Sequence, residues 1–153
     1  MQNTVQVKHD IYWVGGNDRR VNRFENLFPL THGMSYNSYV ILDEKTVLTD
    51  TVDRSISVLF MENVEAALDG RKLDYLVIHH MEPDHCQTLL ETIERYPNVK
   101  MVGNATTFRM FEQFYRTPKP DNYHQVKEGD TIDLGKHKLV SYTMPMVHWP
   151  EVM

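Results

Sequence analysis

The sequence predicts an α/β fold in which helices pack against a mixed sheet, and three features predict it. Alternating apolar segments rich in Tyr, Val and Ile come first, strand-like and helix-like segments then take turns, and short strand-like segments separated by glycine turns follow. Residues 35–44 alternate, and a polar link at Glu44-Lys45 leads into residues 46–52, so the two read as a hairpin. Asp53 suits a helix N-cap. Beyond it Ile56, Leu59, Phe60, Val64, Ala67 and Leu68 recur at helical spacing until Gly70, a natural C-cap.

Residues 74–79 read as a buried strand, 87–96 as a helix closed by Pro97, and 100–102 as a short strand. Asn104 then caps a helix whose Phe108, Phe111 and Phe114 read as core. Residues 116–122 contain Pro118 and Pro120 and read as a loop. Strands are expected over 123–126, 131–134 and 138–144, with turns at Glu128-Gly129-Asp130 and Gly135.

The chain has 153 residues, 41% of them apolar, which suits one packed domain over residues 1–153. Lys and Arg number 16 against 21 Asp and Glu, and neither sign forms a long block. That balance disfavours nucleic acid or an anionic membrane as a partner. The amino terminus lacks a signal-peptide layout, and no apolar run approaches the roughly 18 residues of a membrane span, so a cytoplasmic location is expected. Cys86 is the only cysteine, which excludes an internal disulfide and a thiolate cluster. A bound metal must therefore sit on His, Asp and Glu.

His80-Met81-Glu82-Pro83-Asp84-His85 is dense in such ligands and directly follows the apolar run Tyr75-Leu76-Val77-Ile78. In open α/β sheets, ligands bind beyond the carboxyl ends of strands, where this segment falls. Pro83 biases Glu82 toward extended backbone, so His80 and Glu82 point the same way and can share one ion. Asp84 and His85 follow at the turn into the next helix and aim at a neighbouring point, where a second ion could bind. His148, in a loop past a predicted strand, completes the first set. Two histidines and a carboxylate suit both non-haem Fe(II) and some catalytic zinc sites, and ligand type alone does not choose between them.

Plainer readings compete with this one. The charged cluster could be a solvated helix start with Asp84 acting on the helix dipole, and His148 alone would be an ordinary loop histidine. Cys86 reads as a small buried residue at a helix start. His79 points away from His80 and reads as a packing or supporting residue. His9, His32, His124 and His137 have no partners by spacing and read as surface or structural.

Beyond the metal cluster, Trp13-Val14-Gly15, Asn17-Asp18-Arg19-Arg20, Phe24-Glu25, Ser35-Tyr36-Asn37-Ser38-Tyr39, Asp50-Thr51-Val52-Asp53 and His148-Trp149-Pro150-Glu151 resemble the flavodiiron proteins in order and spacing. The resemblance covers essentially the whole chain. It implies a metallo-β-lactamase-like αββα sandwich, with His80, Glu82 and His148 on one iron and Asp84 and His85 on the other. Hydrolytic relatives of that fold usually carry histidine where this chain has Glu82.

The resemblance further implies reduction of dioxygen to water or of nitric oxide to nitrous oxide, with electrons from FMN in a flavodoxin-like domain. The implied donor is rubredoxin or a flavin/NADH reductase, and the implied assembly a homodimer that places one subunit's FMN beside the other's irons. This chain departs from the family pattern at Cys86-Gln87, where Ser-Gly is common, and it lacks the downstream bridging aspartate, last histidine and FMN domain. It therefore reads as an amino-terminal portion of the diiron domain, incomplete at its carboxyl end. The second ion is expected to bind weakly, and uncovered sheet surface to favour self-association. Two alternatives stand beside the reductase: a zinc-dependent hydrolase, and a non-catalytic chain that needs a complementing polypeptide.

Overall fold

The computed structural model describes residues 3–117 and 121–153. Its first strands are short: β1 (Val5–Lys8), β2 (Ile11–Trp13), β3 (Gly16–Asp18), β4 (Arg23–Phe24), β5 (Phe28–Pro29) and β6 (Met34–Tyr36). β7 (Tyr39–Leu42) and β8 (Thr46–Thr49) form the expected hairpin, paired antiparallel from Tyr39 with Thr49 to Leu42 with Thr46. The stretch read as one strand over 35–44 breaks at Asn37-Ser38, because β6 pairs with β3 in a separate two-stranded sheet while β7 joins the main one.

Asp53 caps a single 3-10 turn by accepting the Ser55 N–H, and α1 (Ser57–Leu68) follows, ending with left-handed backbone at Asp69 and Gly70. Next come β9 (Tyr75–Val77), α2 (Pro83–Cys86), α3 (Leu89–Arg95), β10 (Lys100–Gly103) and α4 (Ala105–Tyr115). Asn104 caps α4 as expected, its side chain accepting the Thr106 and Thr107 N–H groups. β11 (Tyr123–Gln125), β12 (Thr131–Asp133) and β13 (Lys138–Val140) complete the elements. The loop reading at Pro118 and Pro120 lies outside the described residues.

Seven strands form the main sheet in the order β1-β2-β7-β8-β9-β10-β11. The pairs from β1 to β8 are antiparallel, and those from β8 through β11 are parallel. Alternation along the strands splits the core into two clusters. Leu48, Leu76, Ile78 and Met101 pack with Phe60 and Val64 of α1 and Phe108 and Phe111 of α4. Val47, Tyr75, Val77 and Val102 pack instead with Val126, Ile132 and Leu134. The central parallel strand β9 is buried at every position, which explains its unbroken apolar sequence.

The β12–β13 hairpin is tied to the β7–β8 turn by the Lys45 N–H to the Leu134 carbonyl and the His137 N–H to Asp43. Gly135 is required at that junction: its φ is +118°, and a Cβ there would lie 2.7 Å from the Glu44 side chain. One sequence expectation changes here. Phe114 is 48% exposed, because the buried face of α4 runs through Phe108 and Phe111. His137 takes the structural of its two expected roles, its Nε2 lying 2.5 Å from Asp10 Oδ2.

Candidate metal centre

The parallel strands β8, β9 and β10 deliver polar groups from their carboxyl ends to one region. Asp50 follows β8, His79 to His85 follow β9, and Asn104 follows β10. Glu82 stands in extended backbone (φ −64°, ψ 146°) immediately before Pro83 opens α2. His80 and Glu82 consequently share a side, with His80 Nε2 3.0 Å from Glu82 Oε2.

His148 reaches the same point from the far end of the chain. It sits in a tight turn closed by the Met146 N–H to the Trp149 carbonyl, with φ +66° at Met146 and +55° at His148. Left-handed backbone at a histidine costs energy that the surroundings must offset, and such strain gathers at functional sites. The turn brings His148 Nε2 to 2.8 Å from His80 Nε2 and 3.2 Å from Glu82 Oε2. One ligand atom from each of the three residues lies within 4.8 Å of the others.

Proton counting shows why this arrangement suits a cation. His80 Nδ1 is 2.7 Å from the buried carboxylate of Glu151, which accepts only, so Nδ1 carries the hydrogen and Nε2 of the neutral ring carries a lone pair. That lone pair faces a carboxylate oxygen and a second imidazole nitrogen. His148 Nε2 can carry a hydrogen and donate to these atoms, or turn its own lone pair to a cation that all three share, and the donor set fits an imidazole- and carboxylate-binding metal.

Asp84 and His85 form an adjoining pair rather than joining the trio. His85 Nε2 is 3.7 Å from Asp84 Oδ2, and the His80 and His85 ring centroids are 5.3 Å apart. His85 Nδ1 is 3.2 Å from Asp50 Oδ2, which leaves Nε2 facing Asp84. Asp84 Oδ1 is buried with no hydrogen-bond partner among the described residues, an orphan acceptor that a cation would satisfy. Burial pushes the Asp84 carboxyl above its ordinary value, the His85 charge opposes that shift, and Glu82 adds to it.

Asp50 and Glu151 anchor the centre, and reading the residues for chemistry did not single out either one. Asp50 Oδ1 accepts the His79 N–H at 2.7 Å, while Oδ2 lies 3.0 Å from His79 Nδ1. Burial raises the Asp50 carboxyl, but His79 and His85 more than offset that and hold it at about 2. Burial likewise opposes charge on His79 and His85, and Asp50 outweighs it, leaving both above their ordinary values. His79 is therefore bonded to Asp50 and stands apart from the trio. Cys86 is buried, its thiol is pushed up to about 11 by desolvation, and its Sγ donates to the Met81 carbonyl, which fits packing rather than ligation.

Known proteins resemble this chain over most of its length. Residues 34–153 match the family described as ODP family beta lactamase. Over 98% of its length the chain is 41% identical to the anaerobic nitric oxide reductase flavorubredoxin of Pectobacterium atrosepticum. It spans only 30% of that relative. The flavodiiron protein of Giardia intestinalis superposes with a TM-score of 0.91 at 26% identity, covering 99% of this chain and 37% of that one. Rubredoxin oxygen:oxidoreductase from Desulfovibrio gigas also gives a TM-score of 0.91, at 29% identity over 98% of this chain and 37% of that one.

Proposed function

This chain belongs to the ODP family of beta-lactamases, and from that premise we propose that it forms the metal-binding portion of a flavodiiron-type reductase of dioxygen, nitric oxide or both. His80, Glu82 and His148 hold one non-haem iron, and Asp84 and His85 contribute to a second, weaker site. The observation that carries this reading is the convergence of two imidazole nitrogens and a carboxylate oxygen at the carboxyl ends of parallel strands. Bound iron would supply one-electron chemistry and a cationic centre that stabilises negative charge developing on substrate oxygen.

The chain's own residues supply orientation and shelter. Glu151 and Asp50 direct the Nε2 atoms of His80 and His85 inward, and the Trp149 ring stands edge-on to His80 with centroids 5.1 Å apart. Phe114 in turn meets Trp149 edge-on, so aromatic surface flanks the first ligand. We place FMN on a flavodoxin-like module and assign electron delivery to a rubredoxin-type protein or a flavin/NADH reductase. The names of two similar proteins, a nitric oxide reductase flavorubredoxin and a rubredoxin oxygen:oxidoreductase, support the rubredoxin-type donor. A cytoplasmic homodimer is the proposed assembly. None of the described helices is long and apolar enough to cross a membrane.

Ferrous loading of anaerobically purified chain, followed by desalting and metal analysis, tests the assignment. Wild-type chain should retain iron, E82A and H148A should lose most of it, and adding a polypeptide that carries the family's bridging aspartate, last histidine and flavin module should produce reductase turnover. Stoichiometric zinc with esterase turnover and no retained iron would reject it.

A further inference from the structure

We propose that Glu151 is a positioning residue for this centre: its carboxylate locks His80 as the Nδ1–H tautomer and ties the His148 loop to the loop bearing His80 and Glu82. The role rests on the ligand assignment above and goes beyond it. Glu151 is fully buried, and a carboxylate in that state needs donors around it. Its Oε1 receives two of them, His80 Nδ1 at 2.7 Å and the Met81 N–H at 2.8 Å, while Oε2 is buried with no partner among the described residues. The Met81 N–H is an obligatory donor, so Oε1 is held in place as an acceptor whatever the imidazole does.

The main chain of Glu151 is fixed as well. Asn104 Nδ2 donates to the Glu151 carbonyl at 2.7 Å while Asn104 Oδ1 is committed to capping α4, so the amide orientation is determined. The Met153 N–H donates to the His79 carbonyl two residues further on. Four hydrogen bonds therefore join the segment after His148 to the ends of β9 and β10. With Nδ1–H committed to Glu151, the His80 lone pair sits on Nε2, the atom that faces Glu82 and His148. In the other tautomer a hydrogen on Nε2 would block ligation.

Removing such a carboxylate behind a ligating histidine typically costs about 10–100-fold in metal affinity. Two measurements on the full chain test the role. Nitrogen-15 NMR of the metal-free wild type should show His80 protonated on Nδ1, and E151L should shift its population toward Nε2–H. Cobalt(II) titration should show affinity reduced about 10–100-fold in E151L and by less in E151Q, whose amide oxygen can still accept both hydrogens. Should E151L fail to fold, E151Q with a several-fold loss and an unchanged thermal midpoint of the metal-free form carries the test. A wild-type His80 protonated on Nε2, or variants that bind cobalt as tightly as wild type, would overturn the role. Absence of cobalt binding by wild type would instead overturn the ligand assignment, and the tautomer readout would still decide the function of Glu151.

Discussion

Replacing Asp50 with asparagine should destabilise the metal-free chain by about 2–3 kcal/mol, and the reason is a conflict of hydrogen-bonding roles. Oδ1 accepts the His79 N–H, while Oδ2 faces Nδ1 of both His79 and His85. An asparagine that keeps the backbone bond must turn its amide nitrogen toward both imidazoles. They can accept from it only by moving their protons to Nε2. A carboxyl held at about 2 instead of 3.8 favours its charged form by about 2 kcal/mol, and hydrogen bonds to charged groups contribute on the order of 1.5–3 kcal/mol each. Asp50 has φ +53°, a conformation asparagine also tolerates, so the substitution adds little backbone strain. For a chain of this size the loss corresponds to a midpoint lower by roughly 5–10 °C, measured by circular dichroism with a chelator at pH 5.5. A D50N midpoint within about 1 °C of wild type would refute the reasoning.

Stability of the metal-free chain should also depend on pH through this cluster. The depressed Asp50 carboxyl stabilises above its unfolded value near 3.8 and loses that contribution as pH falls toward about 2. The raised His79 and His85 stabilise fully below about 6.5 and lose that contribution as pH rises through their higher folded values. These are two sides of one interaction, so urea midpoints should peak between about pH 4 and 6.5, and a profile that climbs steadily above pH 7 would contradict this. Phe111→Ala, which empties a fully buried position between α4 and the sheet, should cost about 3–5 kcal/mol in urea unfolding; a loss under 1 kcal/mol would show that the core closes over the gap. Cys86 should resist an aromatic disulfide reagent in the folded chain and react at once in denaturant, and rapid native labelling would contradict its burial.

The sequence showed those parts of the fold and site whose cause is local. Ligands crowded between His80 and Glu82 are legible because extended backbone before Pro83 sets their direction without help from the rest of the chain. Asn104 and Asp53 are legible as caps for the same reason. β1 to β5 were not, since strands of two to four residues, many of them exposed, carry no readable alternation. Asn37-Ser38 hid a change of sheet within one apolar run. Phe114 kept helical spacing with Phe111 yet lies off the face that Phe108 and Phe111 bury. Pairings across the whole chain, such as His137 with Asp10 or His80 with Glu151, follow no spacing rule and emerge only from the packed sheet.

Crystals of the chain grown anaerobically with ferrous iron, with anomalous scattering measured at the iron edge, test the centre most directly. The expected result is a strong peak within bonding distance of His80 Nε2, a Glu82 oxygen and His148 Nε2, with any weaker peak beside Asp84 and His85. Featureless density between those three side chains, with the His148 ring turned out to solvent, would contradict it.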